Sequence, residues 1–325
     1  MIQCNCGNRM LLIEDMRTHF LTPEGVVRAV DGIRLEISEG QSVALVGESG
    51  SGKSMTGLSI MRLVPDPGKT TGSIFLNNRD LLQLTEDQMS EIRGKEISMV
   101  FQDPMTFLNP VLTVGEQIEE AITKHQGLSK SECREKAVET LDLVRIPEPE
   151  RICRYYPHQL SGGMRQRILI AIALSCKPKI LIADEPTTAL DVTIQSQILA
   201  LIQKVTRDLG TSLLLITHDL GIVASLADEV YVMYLGKIVE HGDIFSIYDD
   251  PRHPYTQGLL DSVLSIDEFK ETLVSIGGMV PSALSPPSGC RFHPRCSKAI
   301  EKCRAQEPPH IEVKKGHLVS CWLYS

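Results

Sequence analysis

Short apolar runs alternate along the chain with longer stretches in which apolar residues recur every three to four positions. Runs of four to six apolar residues predict buried strands, and the longer period predicts amphipathic helices. The pattern predicts strands at residues 33–37, 42–46, 73–76, 97–101, 180–183 and 213–216, and a hairpin at 230–240 that turns at Gly236. It predicts helices at residues 55–63, 113–143, 161–175 and 193–209, the second interrupted at Gln126 and Gly127 and capped again at Ser129. Strands that alternate with helices predict an α/β sheet, here with a helical insertion at about residues 110–160.

Length, charge and composition narrow the class of protein. The 325 residues are enough for about two domains. The net charge of −8 argues against a nucleic-acid-binding surface, which is usually basic. No apolar run approaches the roughly 18 residues of a membrane-spanning helix, and no signal segment opens the chain, so we expect a cytoplasmic protein. Residues 1–9 have no helix or strand pattern and are interpreted as a flexible leader, whereas from residue 251 proline, cysteine and histidine become frequent.

A glycine-rich segment follows the strand at residues 42–46 and precedes a predicted helix. It fits the phosphate-binding pattern G-x-x-x-x-G-K-[ST] with Gly47, Glu48, Ser49, Gly50, Ser51, Gly52, Lys53 and Ser54. In such a loop, backbone N–H groups and a helix N-terminus bind a polyphosphate. We expect Lys53 to neutralise the β- and γ-phosphates and the Ser54 hydroxyl to bind Mg²⁺.

Two carboxylates, Asp184 and Glu185, end the strand predicted at residues 180–183. A nucleotidase needs a carboxylate at a strand end to hold Mg²⁺, and Asp184 suits that role. Glu185 is placed to orient and polarise the attacking water. An acidic end is common on a buried strand, but the phosphate loop on the same chain favours the catalytic interpretation.

A second pair of glycines, Gly162 and Gly163, follows Ser161 at the start of a predicted helix. A serine cap explains Ser161, but two glycines destabilise a helix start unless another group must approach the backbone closely. With Met164 and Gln166, the segment resembles the LSGGQ-like signature of ATP-binding cassette (ABC) ATPases, Met164 standing where the family usually has glutamine. The resemblance assigns the signature residues, including Gln166, to the binding of ATP.

The same resemblance assigns roles to four other residues. Gln102 matches the loop that senses Mg²⁺ and the transporter partner, and it is counted with the catalytic residues. Asp191 matches the loop that crosses between two ATPase subunits, and His218 matches the switch histidine that contacts the γ-phosphate. Phe20, which precedes the phosphate loop, is the best candidate for the aromatic residue that stacks on adenine.

The resemblance also implies an architecture. We expect an α/β P-loop NTPase (RecA-like) core with an antiparallel β subdomain and the helical insertion, together over residues 1–250. A small Cys-rich C-terminal extension then covers residues 251–325. In this family, two ATPase subunits, identical or related, sandwich two ATP molecules, each held between the phosphate loop of one subunit and the signature of the other.

The C-terminal region indicates the branch of the family. Residues 253–260 and the tail from Gly289 to Cys321 resemble the ATPases of oligopeptide and dipeptide importers. This implies a peripheral subunit on the cytoplasmic face of the membrane, docked on two transmembrane permease subunits and served indirectly by an extracytoplasmic substrate-binding protein. Dipeptides, longer peptides and nickel complexes all remain open as cargo. The alternative is a soluble ABC ATPase acting on nucleic acid or ribosomes. The negative net charge of the chain and its single cassette argue against this alternative.

The tail carries four cysteines separated by five, six and 17 residues: Cys290, Cys296, Cys303 and Cys321. Thiolates select zinc or an iron–sulfur cluster. Structural zinc sites usually contain C-x₂₋₄-C pairs, which this tail lacks. Wide spacing and the family resemblance therefore favour a [4Fe–4S] cluster that staples the tail. Zinc, with a replacement ligand from His293, His310 or His317, and free thiols remain the alternatives.

Overall fold

The structure of the protein is a computed structural model, and it describes residues 9–188, 190–262 and 276–325. The flexible leader expected at the N-terminus falls outside the described residues apart from Arg9, which opens the first strand.

Twelve strands lie in the described part of the chain, and most of them are where apolar runs predict them. They are β1 (Arg9–Thr22), β2 (Gly25–Ser38), β3 (Ser42–Val46), β4 (Gly68–Leu76), β5 (Arg79–Asp80), β6 (Ile97–Val100), β7 (Ile180–Asp184), β8 (Ser212–Thr217), β9 (Glu229–Tyr234), β10 (Lys237–Asp243), β11 (Ile311–Lys314) and β12 (His317–Val319).

The same described residues contain twelve α-helices. They are α1 (Lys53–Ile60), α2 (Glu86–Ile92), α3 (Pro104–Phe107), α4 (Val114–Gln126), α5 (Lys130–Leu143), α6 (Pro149–Ile152), α7 (Gly162–Leu174), α8 (Val192–Leu209), α9 (Leu220–Val223), α10 (Ile244–Asp249), α11 (Pro254–Asp261) and α12 (Glu301–Ala305).

The chain divides into two compact units that interleave along the sequence. The first unit contains Ile37–Gln41 and Gln83–Leu215, and the second contains Leu11–Glu36, Ser42–Leu82 and Ile216–Ser325. The phosphate-loop sequence therefore belongs to the second unit, and the acidic strand end and the signature belong to the first. The division into an ATP-binding domain at residues 1–250 and an extension at 251–325 stays a prediction.

In the first unit, β6 and β7 pair in parallel, with Ile97 opposite Ile180. Helices α4, α5 and α7 pack on one another and bury apolar faces that include Ile118 and Leu141. Gly127 ends α4 in the left-handed conformation, and Ser129 caps α5 while Glu132 returns a bond to its backbone. The interruption and the cap predicted inside residues 113–143 are confirmed, because these caps satisfy backbone groups that a continuous helix would not expose.

In the second unit, β1, β2, β4 and β5 form an antiparallel sheet in the order β2-β1-β4-β5. Strand β3 pairs in parallel with β9, and β9 turns at Gly236 into the antiparallel strand β10, as the hairpin pattern predicts. Strand β12 pairs with β10, and β11 pairs with β12. The C-terminal tail is thus joined to this unit by strand hydrogen bonds, which no apolar run at residues 311–319 predicts.

Candidate nucleotide-binding and catalytic site

The phosphate loop connects β3 to α1, and two of its glycines lie where no side chain fits. A Cβ atom on Gly47 would stand 2.1 Å from the carbonyl oxygen of Met233, and one on Gly52 would stand 2.2 Å from that of Ala29. Both glycines also have positive φ angles, 156° and 106°. The loop therefore passes against two neighbouring backbone segments, which is the close packing that glycine permits.

Lys53 is the first residue of α1 and is 4% exposed. Its ammonium group donates to the carbonyl oxygens of Gly47, at 2.7 Å, and Glu48, at 2.9 Å. The positive charge is therefore held over the backbone of the phosphate loop, beside the N-terminus of a helix. This arrangement places two features that favour an anion in the same loop.

Glu48, the second residue of the loop, is held by two residues of the C-terminal region. Its backbone N–H donates to the hydroxyl of Tyr255 at 2.8 Å. Its carboxylate accepts two hydrogen bonds from the guanidinium of Arg295, at 2.6 and 3.0 Å. The sequence pattern does not reveal these two contacts, because Tyr255 and Arg295 lie 207 and 247 residues from Glu48 along the chain.

Phe20 lies near the end of β1 and is half-buried. It is paired with Gly68 of β4, and a Cβ atom on that glycine would come within 2.6 Å of the Phe20 ring. The ring therefore packs on the strand backbone in the same unit as the phosphate loop. Its stacking on adenine stays a prediction.

In the first unit, the carboxylate of Glu185 is held by two side chains. Oε2 accepts from the amide of Gln102 at 3.1 Å and from the hydroxyl of Thr188 at 3.0 Å. Glu185 also has a positive φ of 42°, and Asp184 is buried at the end of β7. A strained residue whose side chain is fixed by two donors is typical of a functional position. The structure thus brings together Gln102 and Glu185. It adds Thr188, which is not among the site residues predicted from the sequence.

The signature segment opens α7. Ser161 caps this helix and accepts from the backbone N–H of Met164 at 3.4 Å. Gly162 is exposed, whereas a Cβ atom on Gly163 would come within 3.0 Å of the Ile194 side chain. Packing against α8 is therefore one reason for the second glycine, beside the close approach of ATP that the family resemblance implies.

Three other predicted site residues have distinct surroundings. Asp191 caps α8 by accepting from the backbone N–H of Ile194 at 2.9 Å. Gln166 is 1% exposed, and its side-chain nitrogen has no hydrogen-bond partner among the described residues. His218 is exposed and follows β8 directly. Their roles toward ATP remain predictions.

Comparison with known families identifies the cassette. The sequence matches the ABC transporter family over residues 30–188 and the C-terminal region of the oligopeptide/dipeptide transporter family over residues 239–303. The oligopeptide transport ATP-binding protein AppD of Bacillus subtilis (strain 168) is 52% identical over 317 residues, which are 97% of each chain. The chain belongs to the ABC transporter ATP-binding proteins of the oligopeptide/dipeptide family.

Two further comparisons agree with this membership. The oligopeptide transport ATP-binding protein OppD of Escherichia coli (strain K12) is 45% identical over 316 residues, covering 97% of this chain and 94% of that protein. A dimeric ATP-binding cassette, solved in a post-hydrolysis state with ADP and Pi bound, is 32% identical, with a TM-score of 0.65. The match covers 72% of this ABC subunit and 99% of that cassette. The α/β P-loop NTPase fold and the resemblance to ABC ATPases are confirmed.

The prediction of an iron–sulfur cluster in this ABC subunit is wrong. Within residues 9–188, 190–262 and 276–325, no group of three or more His, Cys, Asp or Glu side chains is arranged to hold a metal ion. The same finding gives no support to a zinc site. The four tail cysteines are free thiols: Cys290, Cys296, Cys303 and Cys321.

The four tail cysteines are buried or partly buried side chains. Cys290 and Cys296 pack against an apolar cluster that contains Tyr255 and Phe292. Burial raises the pKa of Cys290 to about 11 and also raises the pKa of Cys296 and Cys321, so these side chains are neutral thiols near pH 7. These cysteines therefore act as small apolar side chains.

The three histidines considered as zinc ligands have other partners. His293 is bonded to the carbonyl oxygen of Cys290, His310 to the hydroxyl of Ser320, and His317 to the carboxylate of Glu240. The His293 and His310 bonds lie within the tail, whereas the His317 bond joins the tail to β10.

Within the described ranges, no helix has both the length and the apolar character needed to cross a membrane.

Proposed function

We propose that this ABC subunit binds and hydrolyses ATP to drive a membrane importer of dipeptides, oligopeptides or related solutes such as nickel complexes. The observation that carries the catalytic part is the carboxylate of Glu185, fixed by Gln102 and Thr188 on a chain that also has a complete phosphate loop. The C-terminal match to oligopeptide/dipeptide transporters supports the importer part.

Each part of the ATP site has a stated task in this proposal. Backbone N–H groups of the phosphate loop and the ammonium of Lys53 bind the β- and γ-phosphates. Glu185 orients the attacking water and accepts its proton, and His218 contacts the γ-phosphate. Phosphoryl transfer needs mainly positioning and charge stabilisation, so fixed side chains suit it.

The residues present also fit a magnesium ion, the usual companion of ATP. Ser54 supplies a hydroxyl, Asp184 a carboxylate and Gln102 an amide oxygen, which are hard oxygen ligands of the kind that Mg²⁺ prefers. When bound, a magnesium ion would neutralise charge that develops on the phosphate oxygens. Ser54, Asp184 and Gln102 are therefore proposed as its protein ligands.

A second ATPase subunit completes the site in this proposal. Exposed Ser161 and Gly162, with Gly163, present the start of α7 to the ATP held by the partner's phosphate loop. The partner is an identical or a related chain. Gln102 and the helices at about residues 110–160 dock on two permease subunits at the cytoplasmic face of the membrane, and a substrate-binding protein outside delivers the cargo.

The experiment compares ATP binding with ATP turnover. Lys53→Ala is expected to weaken nucleotide binding, measured by titration. Glu185→Gln is expected to retain ATP binding and to lower phosphate release by at least about 100-fold, the usual contribution of a positioned base. Glu91→Gln, at an exposed glutamate of the first unit outside the helices at residues 110–160, is the matched control and should behave as the wild type.

Turnover near the wild-type rate in Glu185→Gln would contradict the catalytic assignment. Phosphate release that rises with RNA or ribosomes, but not with copurified permease subunits, would contradict the importer assignment.

A further inference from the structure

The C-terminal segment is anchored to the unit that carries the phosphate loop. Strand β12 pairs with β10 at Glu240 and Val319. The guanidinium of Arg291, 9% exposed, bonds to the carboxylate of Asp31 and to the carbonyl oxygen of Leu235. These contacts hold the backbone around residues 290–296 in a fixed position within the second unit.

Arg295 extends from this anchored backbone to the phosphate loop. Its side chain is 3% exposed, and its two terminal nitrogens donate to the two carboxylate oxygens of Glu48. Its Nε donates to the carbonyl oxygen of Gly277 at 3.0 Å, and Nη2 also donates to that of Ile276 at 3.2 Å. A buried guanidinium with this many acceptors is held in one orientation, and the bidentate pair fixes the carboxylate as well.

Tyr255 fixes the backbone of the same loop residue. It is fully buried, its ring contacts those of Tyr234 and Phe292, and its hydroxyl accepts from the N–H of Glu48 at 2.8 Å. Both the main chain and the side chain of Glu48 are therefore held by residues beyond position 250. Glu48 directly follows Gly47, whose carbonyl oxygen accepts from the Lys53 ammonium.

We propose that Arg295 and Tyr255 are positioning residues which, through Glu48, hold the phosphate loop in its ATP-binding conformation, so that the C-terminal segment sets the affinity for ATP. This inference rests on the proposed role of the loop in binding ATP. A loop already ordered before the nucleotide arrives loses less conformational freedom on binding. Cutting the connection therefore weakens ATP binding even while the chain stays folded.

The test measures the Kd for ATP and, without nucleotide, the thermal unfolding of each variant. Arg295→Ala should raise the Kd by about tenfold, within the range of typical coupling between sites. Arg295→Lys, which retains the charge but not the fork, should raise it less. Tyr255→Phe should raise it several-fold. The matched control is Arg304→Ala, at an exposed arginine of the same segment, and it should leave the Kd unchanged.

A double-mutant cycle separates this role from simple support of the tail. If Arg295 acts through Glu48, Arg295→Ala combined with Glu48→Ala should bind ATP no more weakly than the weaker single variant. Additive effects of the two substitutions on Kd would overturn the inference. So would wild-type Kd values in folded Tyr255→Phe and Arg295→Lys, which decide the matter if Arg295→Ala fails to fold.

Lys53→Ala tells the two possible failures apart. If it binds ATP as the wild type does, the loop is not the ATP site and the proposed function fails. If it loses binding while the Arg295 and Tyr255 variants bind normally, only the coupling to the C-terminal segment is refuted.

Discussion

Replacing Gly52 by alanine adds one methyl group at a crowded point of the phosphate loop. The new Cβ would stand 2.2 Å from the carbonyl oxygen of Ala29 and 2.8 Å from the terminal methyl of Met233. The Met233 side chain can turn aside, but the carbonyl is main chain and cannot move alone. Gly52 also has a φ of 106°, which an alanine rarely adopts. We expect roughly 1–2 kcal/mol of backbone strain and about 1–3 kcal/mol of overpacking.

Gly50→Ala supplies the matched comparison in the same loop. Gly50 has a φ of 77°, but a Cβ atom there meets nothing within 4 Å. It should therefore show the backbone strain without the clash. Urea unfolding in the absence of nucleotide gives the free energy of unfolding of each variant, and Gly52→Ala should be less stable than Gly50→Ala by about 1–3 kcal/mol.

If the loop moves to relieve the clash, the loss of stability in Gly52→Ala becomes smaller and its affinity for ATP falls instead. Titration with ATP is therefore done on the same two variants. If Gly52→Ala equals Gly50→Ala both in the free energy of unfolding and in the Kd for ATP, the close packing of the loop on Ala29 is refuted.

Three further predictions concern Thr188, Asp191 and His253. Thr188→Val removes the hydroxyl that donates to Glu185, and it should lower phosphate release by about tenfold with an unchanged Kd for ATP, whereas Thr188→Ser should retain most activity. Asp191→Ala removes the cap of α8 and should lower the free energy of unfolding by about 1 kcal/mol in urea, whereas Asp191→Asn should not. Burial lowers the pKa of His253 to about 3. Below about pH 6.5 the unfolded chain binds a proton at His253 and the folded chain does not. The free energy of unfolding is therefore largest above that pH, and it decreases as the pH falls toward 3 by up to about 1.4 kcal/mol per pH unit. Urea unfolding at pH 7 and pH 5 should show a shallower pH dependence for His253→Asn, and an equal dependence would contradict the assignment.

Local sequence signals predict the elements around the site well. The predicted strand at residues 42–46 matches β3, and the cap at Ser129 and the turn at Gly236 lie where turn and capping chemistry place them. These features depend on residues close together in the chain. Gln102 and Glu185 are 83 residues apart, so the sequence predicts each residue as part of its own motif but does not predict the hydrogen bond between them.

Features that depend on contacts between distant residues are not predicted by the sequence pattern. The hairpin of β11 and β12 has few apolar residues and exists because β12 pairs with β10. Arg295 and Tyr255 lie in segments that resemble the importer family, but their contact with Glu48 is not predicted, because Glu48 lies more than 200 residues away. The spacing of the tail cysteines indicates a cluster, but spacing does not reveal that two of these thiols pack against Tyr255 and Phe292.

If ATP hydrolysis by this chain drives solute import, a reconstituted transporter should take up solute only when ATP is hydrolysed. The chain is purified with the permease subunits that accompany it, placed in liposomes with its substrate-binding protein, and supplied with labelled di- and oligopeptides. We expect peptide to accumulate with ATP, and neither with a non-hydrolysable ATP analogue nor with the Glu185→Gln variant. Accumulation at the wild-type rate in that variant would contradict this expectation.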